Sequence, residues 1–233
     1  MIKPLNQHCA EFAAILGFTD QSLWSVVAEW LHIAASVKRV ELDTVQFDLG
    51  FGWCSNADEF TMSRETLLGD FVSQLSVFLF VCGSLEAAIE HLDIPRHLDK
   101  SKRGKIADTC RHISRHYASR FEIAPYHEEV TAFRAALADC RSYDDIVSRF
   151  DAVSDIGIAG IRLYAVYVLR NQFAHGNLAF PFPDEENRPI SGHGELVSHA
   201  TRIVLLSMQM LFAIQYQSSV QTVKFTWDPE CDE

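Results

Sequence analysis

The chain has 233 residues, 48% of them hydrophobic, with 11 Gly and 7 Pro. It is long and apolar enough to bury a core, and too poor in Gly and Pro to be fibrous or of low complexity, so an ordinary globular domain is the first expectation. A formal charge of -11 argues against a protein that coats nucleic acid by general electrostatics, because phosphate contacts need local Lys and Arg.

Two further classes recede at this stage. The nearest approach to an uninterrupted membrane-length apolar run, Val72 to Val81, is broken by Ser73, Gln74 and Ser76, so no membrane association is expected. Met1 to His8 carries one Lys but no apolar stretch of signal-peptide length. The cysteines Cys9, Cys54, Cys82, Cys110, Cys140 and Cys231 form no C-x-x-C pair. They read as reduced packing residues of a cytoplasmic protein, and with His8-Cys9 as the only Cys–His neighbours, neither metal nor cofactor is expected.

In chain order, Cys9 to Leu16 and Gln21 to Val37 predict two helices, the second carrying Leu23, Val26, Val27, Trp30, Leu31 and Ala34 at helical spacing and capped by Thr19 or Asp20. Val40 to Leu49 alternates apolar and polar residues and predicts a strand; Val220 to Trp227 alternates likewise and is its candidate partner in a small sheet. Ser63 to Leu92 predicts a long buried helix that Pro95 ends. A basic helix follows from about Ser101 to Ser119, then shorter ones over His127 to Cys140 and Tyr143 to Ala152. Ser154 to His175 predicts a helix apolar around most of its circumference, closed by Gly176 in a left-handed cap. After a loop over Asn177 to Gly194, a last amphipathic helix runs from about Glu195 to Gln217. Without internal repeats or linkers, the expectation is one mainly all-α domain over residues 1–233, with 1–60 as a candidate N-terminal extension and a small β appendage.

The chemistry concentrates in Leu169-Arg170-Asn171-Gln172-Phe173-Ala174-His175-Gly176. Strongly polar groups interrupt an otherwise hydrophobic helix, and an unpaired buried Arg costs several kcal/mol, so Arg170 needs a carboxylate, a water-filled groove or an anionic ligand. On a regular helix Arg170 and His175 point about 140° apart, but fraying at Gly176 lets His175 turn towards the same mouth.

This segment resembles the R-x4-6-H motif of the HEPN superfamily, with Arg170, Asn171 and His175 as the matching residues. The resemblance implies an antiparallel helical bundle of HEPN type and a metal-independent endoribonuclease, with motifs from two protomers forming one composite site. In that role His175 serves as general acid or base, Arg170 stabilises the phosphate and Asn171 orients the phosphate or the motif itself, leaving a 2′,3′-cyclic phosphate. The implied partners are RNA, a second copy of the chain, and a cognate antitoxin or regulatory protein, as in toxin or defence systems. A HEPN-like module without catalysis, binding a protein such as a nucleotidyltransferase, is the alternative. An unrelated bundle in which Arg170 and His175 merely satisfy the last helical carbonyls is a third reading.

Weaker features surround the motif. Glu86 is a candidate partner for Arg170 on the long helix, with Glu90 one turn on, and Tyr167 and Tyr164 are candidates for base stacking or for core. Lys102, Arg103, Lys105, Arg111 and Arg115 form a basic stretch that suits RNA binding or an ordinary solvated face. His112 and His116 have metal-ligand spacing, but the neighbouring arginines favour phosphate over a metal ion.

Overall fold

The computed structural model describes residues 3–19, 21–47, 50–117, 123, 125–139, 146, 156–176, 180–183 and 193–216. Within them the chain is mainly helical: α1 (Leu5–Thr19), α2 (Gln21–Ser36), α3 (Ser55–His91), α4 (Lys105–His116), α5 (Tyr126–Asp139), α6 (Ile158–Ala174) and α7 (His193–Gln215), with 3-10 turns at Val45–Phe47 and Lys100–Lys102.

The apolar spacing explains how the helices pack. On α1, Cys9, Phe12, Ala13 and Leu16 lie on one stripe and are buried, facing Trp24, Val27, Leu31 and Ala34 of α2. Val26 and Ile33, on the other side of α2, stay outward. α3 lies against α2 so closely that a Cβ on Gly83 would meet the Trp30 ring at 3.0 Å. The buried Ser84 hydroxyl donates to the Val27 carbonyl at 2.9 Å, which satisfies a polar group inside the contact. α7 is buried almost all round from Leu196 to Phe212 and packs on α1, α3, α5 and α6. It is the core helix, with Phe212 edge-on to both Phe12 and Trp24.

α3 begins eight residues before the expected Ser63, because Ser55 to Met62 carries little apolar periodicity to reveal it. It ends at His91, and Leu92 is already extended (φ -91°, ψ 133°), two residues before the one that Pro95 bars from helix. By length and composition, Ser55–His91 and Gly194–Gln215 are each apolar enough to cross a membrane, which counting uninterrupted runs misses. The second is 72% buried in its most apolar window, as a core helix is.

The strand expected over Val40 to Leu49 is corrected by the structure. Residues 37–44 run without regular structure and Val45–Phe47 is a 3-10 turn; among the described residues there is no strand. The backbone donors of this segment are met by side chains of α3 instead: Val40 N–H donates to Ser73 Oγ (2.7 Å) and Thr44 N–H to the Glu65 carboxylate (2.8 Å). Val220 to Trp227, the helix expected near Tyr143 to Ala152 apart from Ile146, and Asp20 lie outside the described residues; Thr19 is the last residue of α1.

Candidate functional site

α6 is positioned by glycine at three points. Gly157 (φ +80°) opens it and Gly176 (φ +68°) closes it, conformations that L side chains resist. Gly160 lies where α4 crosses: a Cβ there would sit 2.2 Å from the Cys110 carbonyl oxygen, and its N–H donates to Ser114 Oγ at 2.7 Å. At the far end His175 caps the helix with its N–H on the Asn171 carbonyl (3.0 Å), and Gly176 N–H reaches Phe173 (3.1 Å). The expected left-handed termination is therefore present.

Leu163, Val166 and Leu169 of α6 are fully buried, and Phe173 packs its ring on Phe71 and Phe78 of α3. Since Phe71 faces Phe173 while Glu86 faces Tyr167 and Arg170, α3 and α6 run antiparallel. Arg170 rises at the border of this apolar seam. Its guanidinium lies 3.4 Å from Glu86, donates to Asn171 Oδ1 (3.3 Å) and stands 5.7 Å from the centre of the Tyr167 ring. Tyr167 donates its hydroxyl to the same Glu86 oxygen at 3.4 Å. Burial, with the Glu86 charge beside it, holds the Tyr167 phenol above its ordinary value, so it stays a neutral donor. Arg170 Nε has no hydrogen-bond partner among the described residues.

The arrangement thus brings together Glu86, Tyr167, Arg170 and Asn171. His175 is exposed at the helix end, beyond that cluster, and Tyr164 packs partly buried against the core. Past the motif, Phe180 stands edge-on to Phe71 and Phe182 lies under the Arg64 guanidinium (4.6 Å), so the returning chain is fastened to α3 beside the motif.

The basic stretch divides. Arg111 is buried, bonded to Asp108 (2.9 Å) and to the Lys102 carbonyl (2.9 Å), so it staples the loop before α4 and offers nothing to RNA. Arg103 donates to the His97 and Leu98 carbonyls, and Lys105 is ion-paired with Glu90. Lys102 and Arg115 are exposed. α4 crosses α6 ten residues, or about 15 Å of helix, from Arg170. A shorter route runs along α3, where Glu86 holds Arg170 and Glu90, one turn on, holds Lys105. The His112 and His116 rings lie 4.6 Å apart between centres, tilted by 57°; burial, His116 and Arg115 all lower the His112 pKa. Among the described residues no three His, Cys, Asp or Glu side chains converge as a metal site.

Sequence reasoning missed a second polar cluster. Glu129 of α5, buried, accepts from His199 Nδ1 (2.7 Å) and lies 3.6 Å from Arg202 Nε, and Arg202 in turn donates to the Lys3 carbonyl. The signal was His199 and Arg202 at i, i+3 on a helix that is otherwise apolar. No family model, curated protein or solved structure matches this chain.

Proposed function

We propose that the chain is a metal-independent endoribonuclease of HEPN type, working in the cytoplasm as a homodimer whose paired motifs form one RNA site. The observation that carries this reading is Arg170: a half-buried cation with 30% of its side chain open to solvent, near the exposed end of a buried helix and five residues from a solvent-facing His175. Such a guanidinium suits a phosphate, which can accept two parallel N–H bonds.

In the reaction, His175 of one protomer removes the 2′-hydroxyl proton, the 2′-oxygen attacks phosphorus, and the P–O5′ bond breaks as the 5′-oxygen takes a proton from His175 of its partner. Arg170 balances the charge that grows on the phosphoryl oxygens, and Asn171 orients the Arg170 head. The products are a 2′,3′-cyclic phosphate and a 5′-hydroxyl. Arg115, exposed on α4, is the cation of the basic stretch that suits the RNA backbone. A cognate antitoxin or regulator would cover this cleft.

The test is cleavage of a mixed-sequence RNA in excess chelator. Wild type yields cyclic-phosphate ends, whereas Arg170→Ala and His175→Ala each abolish them with unchanged melting. Cleavage surviving both substitutions overturns the proposal.

One observation favours the binding-module alternative: Glu86 already balances the Arg170 charge. Under that reading neither substitution alters a nuclease signal, and Arg170→Ala weakens capture of a protein partner.

A further inference from the structure

α3, with 37 residues, is about 55 Å long, and its two ends carry opposite charge. Around its start, between Glu41 and Glu65, the described residues place Glu41, Asp43, Asp58, Glu59 and Glu65 against Arg64. Beyond its end, Arg96, Lys100, Lys102, Arg103 and Lys105 stand against Asp93 and Asp99. Both ends also expose large apolar side chains: Trp53 (85%) and Phe47 (78%) at the acidic end, Leu98 (93%) at the basic end. Scattered exposed apolar residues need no explanation, but clusters rimmed by charge mark interaction surfaces.

Both surfaces are held in shape before any partner arrives. Glu65 accepts from the Thr44 and Val45 amides and Asp58 from Gly52 N–H (2.6 Å), which fixes the turns that carry Phe47 and Trp53. At the other end Asp108 accepts from His97 and Gly104, Asp99 caps Ser101, and Arg103 grips the His97 carbonyl (2.7 Å), so Leu98 stands out from a braced loop. Pre-ordered surfaces lose little entropy on binding.

We infer that the acidic, aromatic end of α3 is the docking surface for the basic Arg96–Lys105 loop of a second copy of this chain, which joins copies head to tail. Leu98 of the incoming copy packs between Phe47 and Trp53, and its Arg96 and Lys100 meet Asp58 and Glu59. Two points select this occupant: the two surfaces have complementary charge, and their separation along α3 keeps one molecule from satisfying both by itself. This contact is separate from the Arg170–His175 cleft and does not depend on it.

Sedimentation velocity of the full chain at rising concentration tests it, with two variants whose altered side chains make no described contact. The first is Trp53→Ala with Glu59→Lys; the second is Leu98→Ala with Lys100→Glu; a chain with all four changes sets the baseline. Wild type should grow beyond the baseline with concentration and shrink towards it as salt screens the charges. Each two-site variant alone should lose at least about tenfold in association constant, and mixing the two should restore it, because one keeps its basic end and the other its acidic end. Wild type no larger than the baseline overturns the inference and leaves the surfaces to a different protein or a lipid surface. Association that survives in both variants, or is not restored on mixing, overturns it as well.

Discussion

The Arg170 guanidinium and the Glu86 carboxylate lie 3.4 Å apart, with 30% and 36% of their side chains open to solvent. A pair so exposed is worth less than about 1 kcal/mol, because water screens the attraction and two long side chains lose freedom to make it. Glu86→Gln should therefore lower stability by under about 1 kcal/mol in urea unfolding. It should also tighten inorganic phosphate at Arg170, since the carboxylate no longer competes for the cation. Weaker phosphate binding in the variant would show that Glu86 positions Arg170 rather than occupying it.

Gly160→Ala reverses an ordinary expectation. In a helix interior alanine normally gains about 1 kcal/mol over glycine. Here the added methyl meets the Cys110 carbonyl at 2.2 Å, and backbone cannot swing aside. The α4–α6 contact must open, at an expected cost above about 3 kcal/mol. Gly176→Ala meets no atom within 4 Å and bears only its positive φ, costing about 1–2 kcal/mol. Denaturant midpoints of the two variants should rank in that order.

His8 makes stability depend on pH. Burial and the nearby Arg202 lower its pKa to about 4, while its Nε2 accepts from Gln209, and Glu11 and Lys3 face it with opposing effects. The unfolded chain, with an ordinary imidazole near 6.5, takes up the proton first. The stabilising contribution is therefore complete above about pH 6.5 and is lost as pH falls from there towards 4, by about 3 kcal/mol. His8→Asn should flatten that part of the stability curve, measured by chemical denaturation at several pH values; an unchanged slope would place the acid sensitivity elsewhere.

Thiol labelling should separate the cysteines. Burial pushes the Cys9 thiol up to about 12 and raises Cys82 and Cys110 as well, whereas Cys54 is exposed. In a Cys140→Ser, Cys231→Ser background, one thiol should react quickly with an aromatic disulfide reagent and the other three only on unfolding.

Apolar spacing made the helices legible, from the Cys9–Leu16 stripe to the nearly all-apolar run of α6, and Gly176 announced its cap. The alternation over Val40 to Leu49 misled because pattern reports only which faces can be buried, not what answers the backbone donors; Ser73 and Glu65 answer them here. The basic stretch misled for a related reason. Composition counts Arg111 among the cations, but its position three residues after Asp108 on a packed helix draws it inward. Glu129 with His199 was hidden because the two lie 70 residues apart and only the fold joins them.

Glu86 and Glu90 place two ion pairs on successive turns of one helix, the first reaching α6 through Arg170 and the second reaching α4 through Lys105. Exposed as they are, neither pair sets the register of its helix; that falls to Gly160, where α6 lies on the Cys110 carbonyl too closely for a Cβ. α4 and α6 therefore move as one block, and a ligand that drew Arg170 from Glu86 would release a side chain and leave both helices where they are.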